Sequence, residues 1–260
     1  MIPIGDDNTD RRSRPVVTWA IVALNVLVFV VFQGCGSNDG FTWAMSTVPQ
    51  EILTGKDLVT ADRTVTDPST GQRYVQPGLG VTPISVYLTL IVSMFMHGGF
   101  AHIAGNMLFL FVFGDNVEDR IGRVRFLLFY LFCGVVASLA HVFVSKWTGQ
   151  DLAVPSLGAS GAISGVLGAY LLLFPKKRVR VLLLRFIVAV PAWVAVGIWF
   201  LFQIVNGLGM LGGGTGGGVA YAAHVGGFVA GLATIRLWDR PGRRPRHPEQ
   251  RPLPPRFWRP

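Results

Sequence analysis

The chain has 260 residues, 51% of them hydrophobic and only 14% charged, with a formal net charge of +9 at pH 7. Charges this sparse and this clustered exclude an ordinary soluble globular protein and point to an integral membrane protein. Clustered Lys and Arg attract phosphates, but here the basic groups sit between apolar runs. The excess therefore reads as membrane topology and contact with lipid headgroups, with no nucleic-acid partner.

Residues 1–14 are polar and read as a disordered segment ahead of a single membrane domain over 15–238. A helix needs about 20 apolar residues to cross a hydrocarbon core of roughly 30 Å. The runs that qualify are 16–33, 100–117, 126–145, 158–174, 187–207 and 217–238. The first is read as a span rather than a cleaved signal, because it is long for an apolar signal core and no A-x-A-like site precedes the loop. Between the first two runs lies a long outer segment, about 34–99, polar and turn-rich at first. Its later part, 84–99, is apolar but short, which predicts an interfacial or partly embedded element.

Further along, "VLLLRFIVAVP" at 181–191 is interrupted by Arg185 and Pro191 and reads as an interfacial lead-in to the fifth span. "GMLGGGTGGG" at 209–218 lacks the Lys of a nucleotide loop and reads as a flexible connector. The tail, 239–260, is rich in Pro and Arg and is expected to be extended and solvated near lipid headgroups. Cys35 falls in the outer loop and Cys133 in a span, so no disulfide framework is implied. The expected fold class is all-α, an integral membrane bundle of six helices. Of the 23 Lys and Arg residues, all except Lys56, Arg63, Arg73 and Lys146 then fall on one side. The positive-inside rule makes that side the cytoplasm and places both termini there. A bacterial plasma membrane is expected, as no organelle-type presequence is visible.

Polar side chains inside spans are costly, and each is a functional hypothesis by default. At 1.5 Å per residue, Asn106, Ser160 and His224 each lie about 20 to 22 Å above the inner ends of their runs, so three helices bring polar groups to one level. His102 is one turn higher on the face of Asn106. Gly161 with Gly165, and Gly227 with Gly231, form two G-x-x-x-G pairs of the kind that let membrane helices approach closely. Ser160 adjoins the first pair, and His224 lies one turn before the second.

Such a grouping suits acyl transfer. A serine hydroxyl becomes a nucleophile when an imidazole takes its proton, and the Ser160 backbone N–H, Asn106 and His102 could hold the oxyanion. No Asp or Glu lies near this level, so a Ser160–His224 dyad is expected rather than a triad. Taken alone, Ser160 reads as a packing residue; the shared depth with His224 and Asn106 reverses that. Ser164 reads as packing, His141 as satisfied by a neighbour, and Asn25 and Gln203 as interhelical hydrogen-bonding residues.

"HGGFAHIAGN", "GASG" and "AHVGG" together resemble the rhomboid intramembrane serine proteases, over about residues 16–238. The resemblance implies that Ser160 is the nucleophile, His224 the base, and His102 and Asn106 the oxyanion side, with Gly158, Gly161 and Gly227 as motif glycines. It makes His97 a hydrogen-bonding residue of the first loop, and "FGDNVEDRIG" supplies Glu118 and Arg120 as a structural pair. It also implies substrates that are single-pass transmembrane proteins, cut at small residues near the outer face, with access through movement of the fifth or sixth helix, and no cofactor or metal. Some members carry an aromatic residue one turn after the serine, stacked on the histidine; here that position is Ser164. The alternative is a non-catalytic, rhomboid-like factor that binds membrane proteins, but inactive relatives would lack the serine or the histidine. A transporter ranks lower, because neither inverted repeats nor intramembrane carboxylates are visible.

Overall fold

The computed structural model describes residues 1–66, 71–149, 152–211 and 218–239. The glycine-rich connector expected at 209–218 and the basic tail fall mostly outside these residues. In lipid a backbone must satisfy its own hydrogen bonds, so apolar runs become helices. The chain opens on a strand, β1 (Ile2–Asp6), then enters α1 (Val16–Leu27), which continues through one wider turn at Val28–Phe32. The outer segment holds two short helices, α2 (Asp39–Ala44) and α3 (Pro49–Thr54), and a hairpin of β2 (Arg63–Thr66) and β3 (Arg73–Gln76). Short helical turns follow around α4 (Thr89–Val92). After these come α5 (Phe100–Ile121), α6 (Arg123–Thr148) and α7 (Ser160–Leu173). A second hairpin, β4 (Arg178–Leu183) and β5 (Phe186–Pro191), leads to α8 (Ala192–Leu211) and α9 (Gly218–Trp238).

Helix α7 is the axis of the bundle. Gly161 through Tyr170 are all buried, enclosed chiefly by α9, α6 and α5. The surrounding helices turn large apolar side chains outward, among them Leu24, Phe111, Leu128, Phe143, Leu201 and Val229. A belt of that kind needs lipid around it, since a soluble protein rarely exposes so continuous an apolar surface. By length and composition, Phe100–Ile121 and Arg123–Thr148 suffice to cross a membrane, and Val16–Phe32, Ser160–Leu173 and Ala192–Gly207 are shorter apolar helices.

The all-α expectation is corrected at the end of the bundle that holds the chain's N-terminus. There β1, β4 and β5 form an antiparallel sheet in the order β1-β4-β5. The segment read as an interfacial lead-in is this hairpin. Its "RVRV" start alternates exposed Arg178 and Arg180 with buried Val179 and Val181, the two-residue period of a strand with one covered face. Leu184 turns the corner with a positive φ of 57°.

The N-terminal segment, expected to be disordered, contributes the third strand, with Pro3 opposite Val181 and Asp6 opposite Val179. Polar contacts extend the attachment. Asp6 accepts hydrogen bonds from Tyr170 Oη (2.5 Å) and Asn116 Nδ2 (2.6 Å). Arg11 pairs with Asp115 at 2.5 Å and Lys177 with Asp10 at 2.7 Å. Ser13 donates from its backbone N–H (2.8 Å) and its hydroxyl (2.5 Å) to Asp119.

Burial pushes the Asp6 carboxyl up to about 6, against the lowering effect of its Tyr170 hydrogen bond. A carboxyl whose folded value is raised contributes stability that is full below its unfolded value and is lost as pH rises through the folded one. The difference in melting temperature between Asp6→Asn and wild type, measured in detergent from about pH 4 to about pH 7, should therefore move in favour of the variant as pH rises. A difference that is flat, or that moves the other way, would contradict this assignment.

Candidate active site

The two G-x-x-x-G pairs meet. A Cβ on Gly227 would fall on the carbonyl of Gly161, and one on Gly231 would lie 2.6 Å from the Gly165 carbonyl carbon. Helices α7 and α9 thus touch backbone to backbone, which only glycine permits at these positions. Ser160 precedes Gly161 and His224 lies one turn before Gly227, so the same seam sets their side chains at one level on adjacent helices. Both are partly accessible.

The loop entering α7 is built around Gly158, whose φ of +121° is a conformation that side-chain-bearing residues rarely adopt. A Cβ there would also lie 2.9 Å from His102 Nε2 and 3.7 Å from Asn106 Nδ2, so α5 closes directly on this turn. The loop is pinned on its other side. Gly158 donates its N–H to the Ser93 carbonyl (2.8 Å), and Thr47 and Ser156 exchange backbone hydrogen bonds.

Three donors converge near that turn. The Gly98 N–H donates to His102 Nδ1 (3.2 Å), which leaves the ring proton on Nε2, the atom beside Gly158. Asn106 Nδ2 is buried without a hydrogen-bond partner. Ser160 opens α7, and no side chain caps this helix start, so the first-turn N–H groups are free. A buried donor without a partner costs free energy, and positions of this kind suit an anion. Beside Ser160 is a cavity of about 30 Å³ lined by Ser93, Ser138 and Ser156 among small residues, room for about one water.

The His97 ring is buried and packs edge-on against His102 with centroids 5.2 Å apart. Its backbone is what is held, by Gln33, whose amide accepts from the His97 N–H and donates to its carbonyl, both at 2.9 Å. Glu118 and Arg120 each have a partner of their own. Glu118 is buried and accepts from the Val17 and Thr18 N–H groups and the Thr18 hydroxyl (2.7 to 3.0 Å), a carboxylate capping the positive end of α1. Arg120 forks onto Asp239 at 2.7 and 2.8 Å, fastening the C-terminal end of α9 to α5.

Ser164 packs as expected, its hydroxyl donating to the Ser160 carbonyl at 2.6 Å, and His141 approaches Ser145 at 3.5 Å. Asn25 bonds within its own helix, to the Ile21 carbonyl at 2.7 Å, rather than between helices. Gln203 does bond between helices, and its partner is His224: Oε1 lies 2.8 Å from Nδ1. Sequence reasoning assigned this glutamine no connection to the site.

A family profile described as the Rhomboid domain matches residues 85–239. The chain belongs to the rhomboid family. These are membrane proteins, for the most part serine proteases. Rhomboid protein 1, mitochondrial, of Saccharomyces cerevisiae is 36% identical over 148 residues, which are 56% of this chain and 40% of the relative. Rhomboid protease GluP of Bacillus subtilis is 38% identical over 137 residues, 52% of this chain and 25% of the relative. Presenilin-associated rhomboid-like protein A, mitochondrial, of Danio rerio is 30% identical over 156 residues, 56% of this chain and 36% of the relative. The chain thus matches less than half the length of each of these rhomboid relatives. The outer segment from Gly34 to Pro83 lies ahead of the family match.

Because Gly231 touches the Gly165 backbone, Gly231→Val should force α7 and α9 apart and cost about 1–3 kcal/mol or more, as overpacking does. Gly197→Val is the control, since nothing lies within 4 Å of a Cβ there. Thermal unfolding in detergent should show a clear loss for the first and little change for the second. Equal melting temperatures would contradict the close seam.

Proposed function

We propose that this rhomboid protein is an intramembrane serine endopeptidase that cleaves the transmembrane segments of single-pass membrane proteins near the outer face, using Ser160 and His224 as a dyad. The observation that supports the reading is the glycine seam between α7 and α9, on helices that carry Ser160 at the start of one and His224 one turn before Gly227 on the other, with donors of His102 and Asn106 near the turn that enters α7.

In this reading Ser160 Oγ attacks the scissile carbonyl while His224 Nε2 takes the hydroxyl proton. The negative charge that develops on the carbonyl oxygen is met by the Ser160 N–H, His102 Nε2–H and Asn106 Nδ2–H. His224 returns the proton to the leaving amine, and a water, for which the serine-lined cavity beside Ser160 has room, then hydrolyses the acyl-enzyme. Donors fixed before the reaction need no reorganisation when charge appears, which is why such groups stabilise an oxyanion strongly in a water-poor site.

The topology that accompanies this function has six crossings, α1 with its extension and α5 through α9, with 84–99 as a partly embedded loop. The dense basic clusters support a topology with both termini in the cytoplasm. Substrate would approach from lipid between α5 and α8, where a cavity of about 330 Å³ is lined by Phe109, Phe113, Trp199, Phe202 and Gln203 among others. Of the three relatives described, the bacterial one has the highest identity, and a bacterial plasma membrane is the setting we propose.

Purified protein in liposomes with a model single-pass substrate tests the proposal. Wild type should cleave, and Ser160→Ala and His224→Ala should each lose about 10²-fold or more of the rate. A folded wild type that cleaves none of a panel of such substrates, or a Ser160→Ala variant that cleaves as wild type does, would refute it; the first result would favour a non-catalytic binding factor.

A further inference from the structure

A neutral imidazole serves as a base only if its free lone pair faces the nucleophile, so one ring nitrogen must be fixed in the protonated form. Among the described residues no carboxylate is hydrogen-bonded to His224. Gln203 reaches it instead, from α8, with Oε1 2.8 Å from Nδ1. An amide oxygen can only accept, so Nδ1 carries the proton and Nε2 keeps the lone pair. Gln203 is itself 6% exposed, and a buried amide that has found a partner is held in one orientation.

We infer that Gln203 is a positioning residue for the base: it sets the tautomer and the ring orientation of His224 from a neighbouring helix. The inference rests on the protease reading above. Its logic is that of the amide in Cys-His-Asn sites, where a side-chain carbonyl orients the imidazole without charge. In a membrane interior an uncharged acceptor has a further advantage, since an isolated buried carboxylate would take up a proton rather than stay ionised.

The contacts around the ring agree. The Trp199 ring, one turn before Gln203 on α8, lies with its centroid 6.1 Å from that of His224, and Tyr221 stands edge-on at 6.5 Å. On α7, the Ser164 hydroxyl is turned back onto its own helix, and the contacts that support the imidazole come from α8 and from Tyr221. Helix α8 is seated on α9 by the stacked Phe200 and Phe228 rings, 3.9 Å apart, and Gln203 also lines the cavity between α5 and α8. Alignment of the base is consequently tied to the seating of the helix that borders the lipid-facing cavity.

The test compares wild type, Gln203→Met and Gln203→Glu in liposomes. Among the described residues, the titratable groups that interact with His224 are His102 on α5 and Tyr221 on α9, with His141 on the neighbouring α6. Gln203→Met keeps the volume but removes the acceptor: kcat should fall about 10- to 100-fold, part of what a general base supplies, with KM little changed. Gln203→Glu restores an acceptor and should recover most of kcat. Nitrogen NMR of labelled histidine gives a readout independent of turnover: His224 should be the Nδ1–H tautomer in wild type and lose that preference in Gln203→Met. An Nε2–H tautomer in wild type, unchanged kcat in Gln203→Met, or no recovery in Gln203→Glu would overturn the inference. A wild type with the expected tautomer and no cleavage would instead count against the protease reading.

Discussion

The close approach of α7 and α9 is the constraint from which the rest of the site follows. Where Gly161 and Gly165 face Gly227 and Gly231, the two backbones come nearer than any side chain would allow, and lipid supplies no hydrophobic force to hold helices apart or together. Van der Waals packing along that seam fixes how far one helix slides past the other, and so fixes the level of Ser160 against His224. Helix α6 reinforces it from behind. Ala137 meets Gly161, Cys133 meets Gly165, and Ala140 meets Gly226, each close enough that a Cβ on the glycine would overlap it. A shift of one residue along either helix would move the small residues out of register and change the level of Ser160 against His224. Packing and chemistry therefore share one set of positions.

The two ends of the bundle are secured by different means. At the end that holds the start of α7, Gly158 turns the chain into that helix under the donors of α5, and Gln33, Thr47 and Ser93 hold the adjoining loops by hydrogen bonds. At the other end charge does the work: Glu118 caps α1, Arg120 holds the end of α9 through Asp239, and the N-terminal strand closes a sheet with the hairpin between α7 and α8. The contacts of Gln33, Thr47, Ser93 and Glu118 satisfy polar groups that are buried and would be costly to leave unpaired. The site at the start of α7 can leave Asn106 Nδ2 unpaired because the structure around it is fixed elsewhere.

Much of the site was legible in the sequence because membrane helices have a simple geometry. A rise of 1.5 Å per residue and a hydrocarbon core of roughly 30 Å are enough to place Asn106, Ser160 and His224 at one depth, and G-x-x-x-G pairs point to the helices that touch. Other features depended on contacts that periodicity does not encode. The strand at Ile2–Asp6 pairs with a partner more than 170 residues away, and so short a polar stretch carries no signal of that pairing. The hairpin at 178–191 did carry one, in the alternation of Arg178, Val179, Arg180 and Val181, but the apolar content of 181–191 suggested a membrane surface instead. Gln203 was identified as a residue that bonds between helices, yet which helix it meets depends on the rotation of α8 about its axis. Glu118 and Arg120 came as a pair through the family resemblance, whereas their partners are set by where α1 and α9 end.

The central claim is that the seam makes Ser160 a nucleophile, and reaction with a fluorophosphonate probe tests it without any choice of substrate. Folded wild-type protein should form a single adduct, mapped by mass spectrometry to Ser160 and absent from Ser164, and His224→Ala should abolish it. A folded protein that forms no adduct, or forms one at another serine, would contradict the account.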